Sequence, residues 1–109
     1  MLTSLTENQY LILAAVAGLA GRGYGVSIRE TINEAVGKDL SYGRIYTTLE
    51  QLEQDGLVKG EWGEPTAERG GRRKRHYRIT GVGEQVLSAE ERRRLALQQA
   101  ASRMGGAYA

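Results

Sequence analysis

Two β-prone stretches, 57–62 and 75–80, flank a connection (63–74) too rich in glycine, proline and charge to extend either of them. Short strands on either side of such a segment close as an antiparallel hairpin with a long tip. A lone two-stranded hairpin is marginal in water, so the rest of the chain must supply a body for it to pack against. That remainder reads as helix. The chain is therefore expected to be mainly α with a small β-hairpin.

Residue spacing delimits the helices. Thr6-Glu-Asn-Gln9 fits a capping box opening a helix over 7–20, which Gly21-Arg-Gly23 ends. A second helix is expected over 26–36, with Ile28, Ile32, Ala35 and Val36 on one apolar face, and Gly37-Lys-Asp39 as the turn out. Ser41 caps a third helix over 42–55, and Gly56 is its left-handed terminator. Thr80 caps a last helix over 81–104, unless Ser88-Ala-Glu-Glu91 restarts it after a break, and 105–109 reads as a frayed, disordered tail. Helix, helix, helix, hairpin, helix, with a short turn between the second and third, is the order of a winged helix-turn-helix. The winged-helix domain spans 1–80, and 81–104 is appended to it. At 109 residues with 40% hydrophobic content, one domain with a single modest core is expected.

Charge separates the hairpin from its body. Arg69-Gly-Gly-Arg-Arg-Lys-Arg-His-Tyr-Arg78 carries six cations and no carboxylate, whereas the rest holds nine basic and thirteen acidic residues. A concentrated cationic segment suits a polyanion, since each contact with a phosphate releases condensed counterions; the alternative is a solvated charge run. The absence of cysteine excludes disulfides, thiolate metal sites and thiol catalysis. With one histidine and no carboxylate pair in an apolar context, neither an enzyme nor a cofactor is expected. Gly21-Arg-Gly-Tyr-Gly25 superficially resembles a phosphate loop but follows a helix rather than a strand. The apolar stretch 10–20 is short and interrupted by Gly18, which fits neither a secretory signal nor a membrane span, so a cytoplasmic protein is expected.

The third helix carries the functional expectation. Ile45, Leu49 and Leu52 fall within about 60° of one another and must face the core. The opposite face holds Gly43, Thr47, Glu50, Gln51 and Gln54, flanked by Arg44, Tyr46 and Thr48. Its first half is free of acids, as suits a helix entering the major groove by its N-terminal end. Arg44 suits guanine or phosphate, Thr47 and Thr48 offer hydroxyls and methyls, Gly43 allows close approach, and Tyr46 can reach a phosphate oxygen. In the hairpin, Gly70 and Gly71 permit a turn projecting Arg69, Arg72 and Arg73 along a phosphate ridge or into the minor groove. Lys74, Arg75 and His76 start the returning strand beside them. Tyr77 and Ile79 are expected inward, His76 and Arg78 outward, and Trp62 with Tyr77 as the hydrophobic base. Ordinary solvated surface is the competing reading for each exposed residue.

Tyr24-Gly-Val-Ser-Ile-Arg29, Ser41-Tyr-Gly-Arg-Ile-Tyr-Thr-Thr-Leu-Glu50, Gln51-Leu-Glu-Gln-Asp-Gly-Leu-Val58, the segment 63–75, and Tyr77-Arg-Ile-Thr80 followed by Gly83 together resemble the PadR family of bacterial transcriptional regulators. The resemblance covers about 5–87. It implies a dimeric, usually repressing protein that binds an inverted repeat in double-stranded DNA through the third helix (with Ser41 at its start) and the wing 57–80. It also implies dimerisation through the last helix, and makes a small-molecule effector a candidate partner. This chain is similar to the short type, with a single C-terminal helix. There, Val82, Val86, Ala89, Ala96, Ala100 and Met104 approximate an apolar stripe interrupted by Arg93, a surface for a second copy or for packing back on its own domain. A protein-interaction module or a non-specific nucleic-acid binder is the alternative function.

Overall fold

The computed structural model describes residues 4–63 and 74–105. Its elements run α1 (Glu7–Leu19), α2 (Gly25–Val36), α3 (Tyr42–Gln54), β1 (Val58–Trp62), β2 (Arg75–Ile79) and α4 (Gly81–Arg103). Local chemistry sets their ends. The Thr6 hydroxyl accepts from the Gln9 amide at 3.2 Å, and the Gln9 side chain accepts from the Thr6 amide at 2.9 Å. Ser41 and Thr80 cap α3 and α4 by accepting from the amides of Arg44 (3.1 Å) and Gly83 (3.0 Å). Gly56 takes φ +76° just past α3, as a terminator must. α1 ends a residue before the expected position because Ala20 itself turns left-handed at φ 51°.

Three helices build the body around Ile12, Leu13 and Val16 of α1, Ile28 and Ile32 of α2, and Ile45, Leu49 and Leu52 of α3. Residues 33–39 are all exposed, so the last turn of α2 overhangs this core. That corrects the expected apolar face: Ala35 and Val36 lie in solvent. Leu57, Val58, Tyr77 and Leu87 close the other side of the core.

β1 and β2 pair antiparallel with Val58 opposite Ile79, Gly60 opposite Tyr77 and Trp62 opposite Arg75. The base of this hairpin is held firmly. The Thr80 amide donates to the Leu57 carbonyl at 3.0 Å, and the Tyr77 amide donates to the Gly23 carbonyl at 2.8 Å. The α1–α2 connection thus occupies the outer edge of β2, leaving less of that edge unpaired. Towards the tip the hairpin leaves the core. Trp62 is 58% exposed, so only Tyr77 of the expected aromatic pair forms the base.

α4 is one uninterrupted helix through Ser88, and Thr80 is its start. Its first turn sits tightly on the backbone just before β1: a Cβ at Gly83 would lie 2.1 Å from the Leu57 carbonyl oxygen. Beyond Leu87 the helix projects away from the core, tethered by Arg94. That guanidinium bonds Glu7 at 2.8 Å and Glu90 at 2.9 Å and lies 3.8 Å from the centre of the Tyr10 ring. The result is an elongated molecule, 58 × 30 × 21 Å. Among the described residues, no helix is long and apolar enough to cross a membrane.

Candidate nucleic-acid interface

α3 is presented by its neighbours from both ends. At its start, Arg29 of α2 donates from Nε to the Leu40 carbonyl at 2.7 Å, pairs with Asp39 and lies 4.9 Å from the Tyr42 ring. One side chain thereby holds the α2–α3 turn. Tyr42 and Tyr46 stack at 6.5 Å on the next turn. The Tyr46 hydroxyl fits into the space left by Gly25, where a Cβ would come within 2.2 Å of it.

Ser41, Gly43, Arg44 and Thr47 are exposed, as is about half of Tyr46, on the side away from Ile45, Leu49 and Leu52. Arg44 pairs with no carboxylate among the described residues, so its charge faces solvent uncompensated. The Ser41 hydroxyl is occupied by the cap. Thr48 departs from its expected place: at 5% exposure it is the one buried polar residue among those described, turned towards the start of α1 rather than outward. α3 rotates this flank under Thr6 and Gln9, where an open groove also receives Arg44, Gln51 and Lys38. Lys38 donates to Asn8 at 2.8 Å and adds a cation beside α3.

On the wing, Lys74 is exposed with its ammonium 4.6 Å from the Tyr24 ring. His76 is half-buried and meets Tyr24 edge-on at 5.6 Å, which makes it part of the wing's seat on the body. Arg75 turns inward instead of out. Its guanidinium bonds the Glu53 carboxylate at 3.1 and 3.2 Å and is flanked by the Trp62 and Tyr77 rings. Glu53 also accepts from the Gly60 amide at 3.0 Å. That amide first, and Arg75 after it, hold the Glu53 carboxyl below its ordinary pKa, while burial pushes the Tyr77 phenol up. Arg69, Arg72 and Arg73, with Gly70 and Gly71, lie outside the described residues.

A helix with a cation-bearing, acid-free leading half beside a two-stranded wing now has a counterpart among known proteins. The model of the transcriptional regulator PadR-like family matches residues 12–89. The chain belongs to the PadR-like family. It is accordingly a DNA-binding transcriptional regulator and not an enzyme. Solved structures agree in fold. A PadR family regulator from Clostridium difficile R20291 superposes with TM-score 0.76 at 20% identity, over 93% of this chain and 100% of that one. A PadR-like transcription factor from Bacteroides fragilis gives 0.73 at 25% identity, over 88% and 87%. A PadR-like regulator from Bacillus cereus gives 0.72 at 19% identity, over 91% of each. No curated relative matches the sequence.

In this PadR-like chain the appended helix is only partly engaged. Val86 packs against the core, Ala89 and Ala100 are half-buried, while Val82, Ala96 and Met104 are exposed, Met104 by 84%. Leu97, 72% exposed, borders the Ala100 side of the helix, and Leu95, 52% exposed, lies around the opposite flank. Neither belonged to the expected stripe. Arg93, expected to interrupt it, is paired with Glu90 at 2.6 Å. Lys38, Glu53 and Arg29 were missed as well. No short-range spacing marks them, because their partners are 7 to 30 residues away.

Proposed function

We propose that this PadR-like regulator is a cytoplasmic, homodimeric repressor that binds an inverted repeat. The leading half of α3 reads base edges in the major groove, and the basic wing grips the flanking backbone. The observation that carries this reading is the exposed Gly43, Arg44, Thr47 and Tyr46 surface, whose Tyr46 hydroxyl sits against Gly25, next to the Tyr24 ring that the Lys74 ammonium of the wing covers. The largely uncovered outer half of α4, with Leu97 and Met104, supports self-association, which would set two α3 helices about 34 Å apart in successive major grooves.

Selection of bound duplexes from a random pool tests the whole reading. The expected product is a two-fold symmetric motif whose affinity falls steeply with salt. Replacing Arg72, Arg73 and Lys74 by Gln should weaken every duplex and flatten the salt slope, whereas Arg44→Ala should mainly erode discrimination. Uniform, weak retardation of all duplexes would overturn the proposal.

A further inference from the structure

Arg75 belongs to the most cationic stretch of the chain, yet its charge is directed into the protein. Its guanidinium lies flat over Gly60, where a Cβ would come within 2.5 Å of Nε. It is bordered by the rings of Trp62 at 5.3 Å and Tyr77 at 5.7 Å, and it is held by Glu53 on the last turn of α3. The same Glu53 oxygen accepts from the Gly60 amide. One carboxylate thus joins α3, β1 and β2. Beyond this point Glu61, Trp62 and Lys74 are exposed, and among the described residues the joint is the one ion pair that ties the wing to α3.

We infer that Glu53 and Arg75 are positioning residues that lock the wing against the reading helix and keep one cation off the phosphates, so that both elements meet a duplex in a single mutual register. This rests on the DNA-reading function proposed above. A carboxylate beside a DNA-binding surface normally repels phosphate; here it is neutralised by a residue of the wing itself. The coupling favours cognate sites, where helix and wing both fit, over arbitrary ones, where only the backbone is gripped.

A double-mutant cycle of Glu53→Gln, Arg75→Gln and the pair tests this, with wild-type protein as reference. Affinity is measured across a salt series for the duplex selected by wild type and for an unrelated duplex, with folding followed by circular dichroism. Glu53→Gln can still accept from Gly60 but releases Arg75. Its binding to the unrelated duplex should tighten, with a salt slope steeper by about 0.9 for one added phosphate contact. The selected-to-unrelated ratio should fall about tenfold, and the double variant should lose no more than either single. Arg75→Gln should leave the slope at its wild-type value. Arg75→Lys, which keeps the charge but not the flat fork, should fold normally and retain part of the ratio. An unchanged ratio and slope in Glu53→Gln, or additive losses with a flatter slope in Arg75→Gln, would overturn the positioning role alone. Failure of wild type to select any site sinks the DNA-reading proposal and this role with it.

Discussion

Gly43 and Glu53 sit on the same helix and answer to different demands. A side chain at Gly43 would meet nothing nearer than the Ser41 hydroxyl at 4.0 Å, and the position is exposed. Gly43→Ala should therefore stabilise the fold by up to ~1 kcal/mol in urea unfolding, while the added methyl weakens binding to the selected duplex. Stability and affinity moving in opposite directions would mark the position as a contact surface. Glu53 carries a pH dependence. Its carboxyl titrates below the ordinary glutamate range in the folded chain, so it stabilises above about pH 4.3 and that contribution is lost as pH falls through the depressed value. Glu90 titrates low for a parallel reason, hydrogen bonding to Arg93 first and then Arg94. Acid titration of stability should thus be shallower in Glu53→Gln than in wild type, but not flat.

The elements differ in how tightly they are seated. α4 begins against the backbone of Leu57, and Gly83→Ala would drive a methyl into that carbonyl. A loss of ~1–3 kcal/mol is expected in chemical unfolding, comparable to overpacking a core, against about 1 kcal/mol for Ser41→Ala at the α3 cap. The element ends were legible in the sequence because caps and terminators act over three or four residues: Thr6 with Gln9, Ser41 with Arg44, Thr80 with Gly83, and Gly56. The inward face of α3 was legible for a similar reason, as helical period alone places Ile45, Leu49 and Leu52 together. What no local rule carries is which flank a neighbour covers. Thr48 is buried because α1 begins above it, and Val36 is exposed because α2 outruns the helices it packs on. Arg75 looked like every other cation of its run, since its partner lies 22 residues earlier.

At the scale of the molecule, a well-packed head carries a helix whose outer half has little of its own chain to pack on. Leu95, Leu97 and Met104 are too exposed for an unpartnered arm to be comfortable in water. If the proposed dimer forms through this arm, Leu97→Glu with Met104→Glu should shift the mass seen in sedimentation equilibrium from dimer to monomer. Affinity for a symmetric site should fall with it, while the melting of each head changes little. Electrostatics divides within the head itself: the cations are concentrated in the wing, the rest of the head carries an excess of acid, and the arm is close to balanced, with four Arg against three Glu over 81–104. Long-range attraction to a polyanion therefore turns the wing towards it.

The close fit of the Tyr46 hydroxyl against Gly25 has an evolutionary consequence. Any side chain at position 25 must evict the phenol, and the phenol belongs to the surface proposed to meet the groove. Descendants of this lineage should change the two positions in concert, a bulkier residue at one accompanied by a shorter one at the other, and each such exchange would redraw the DNA letters the regulator prefers.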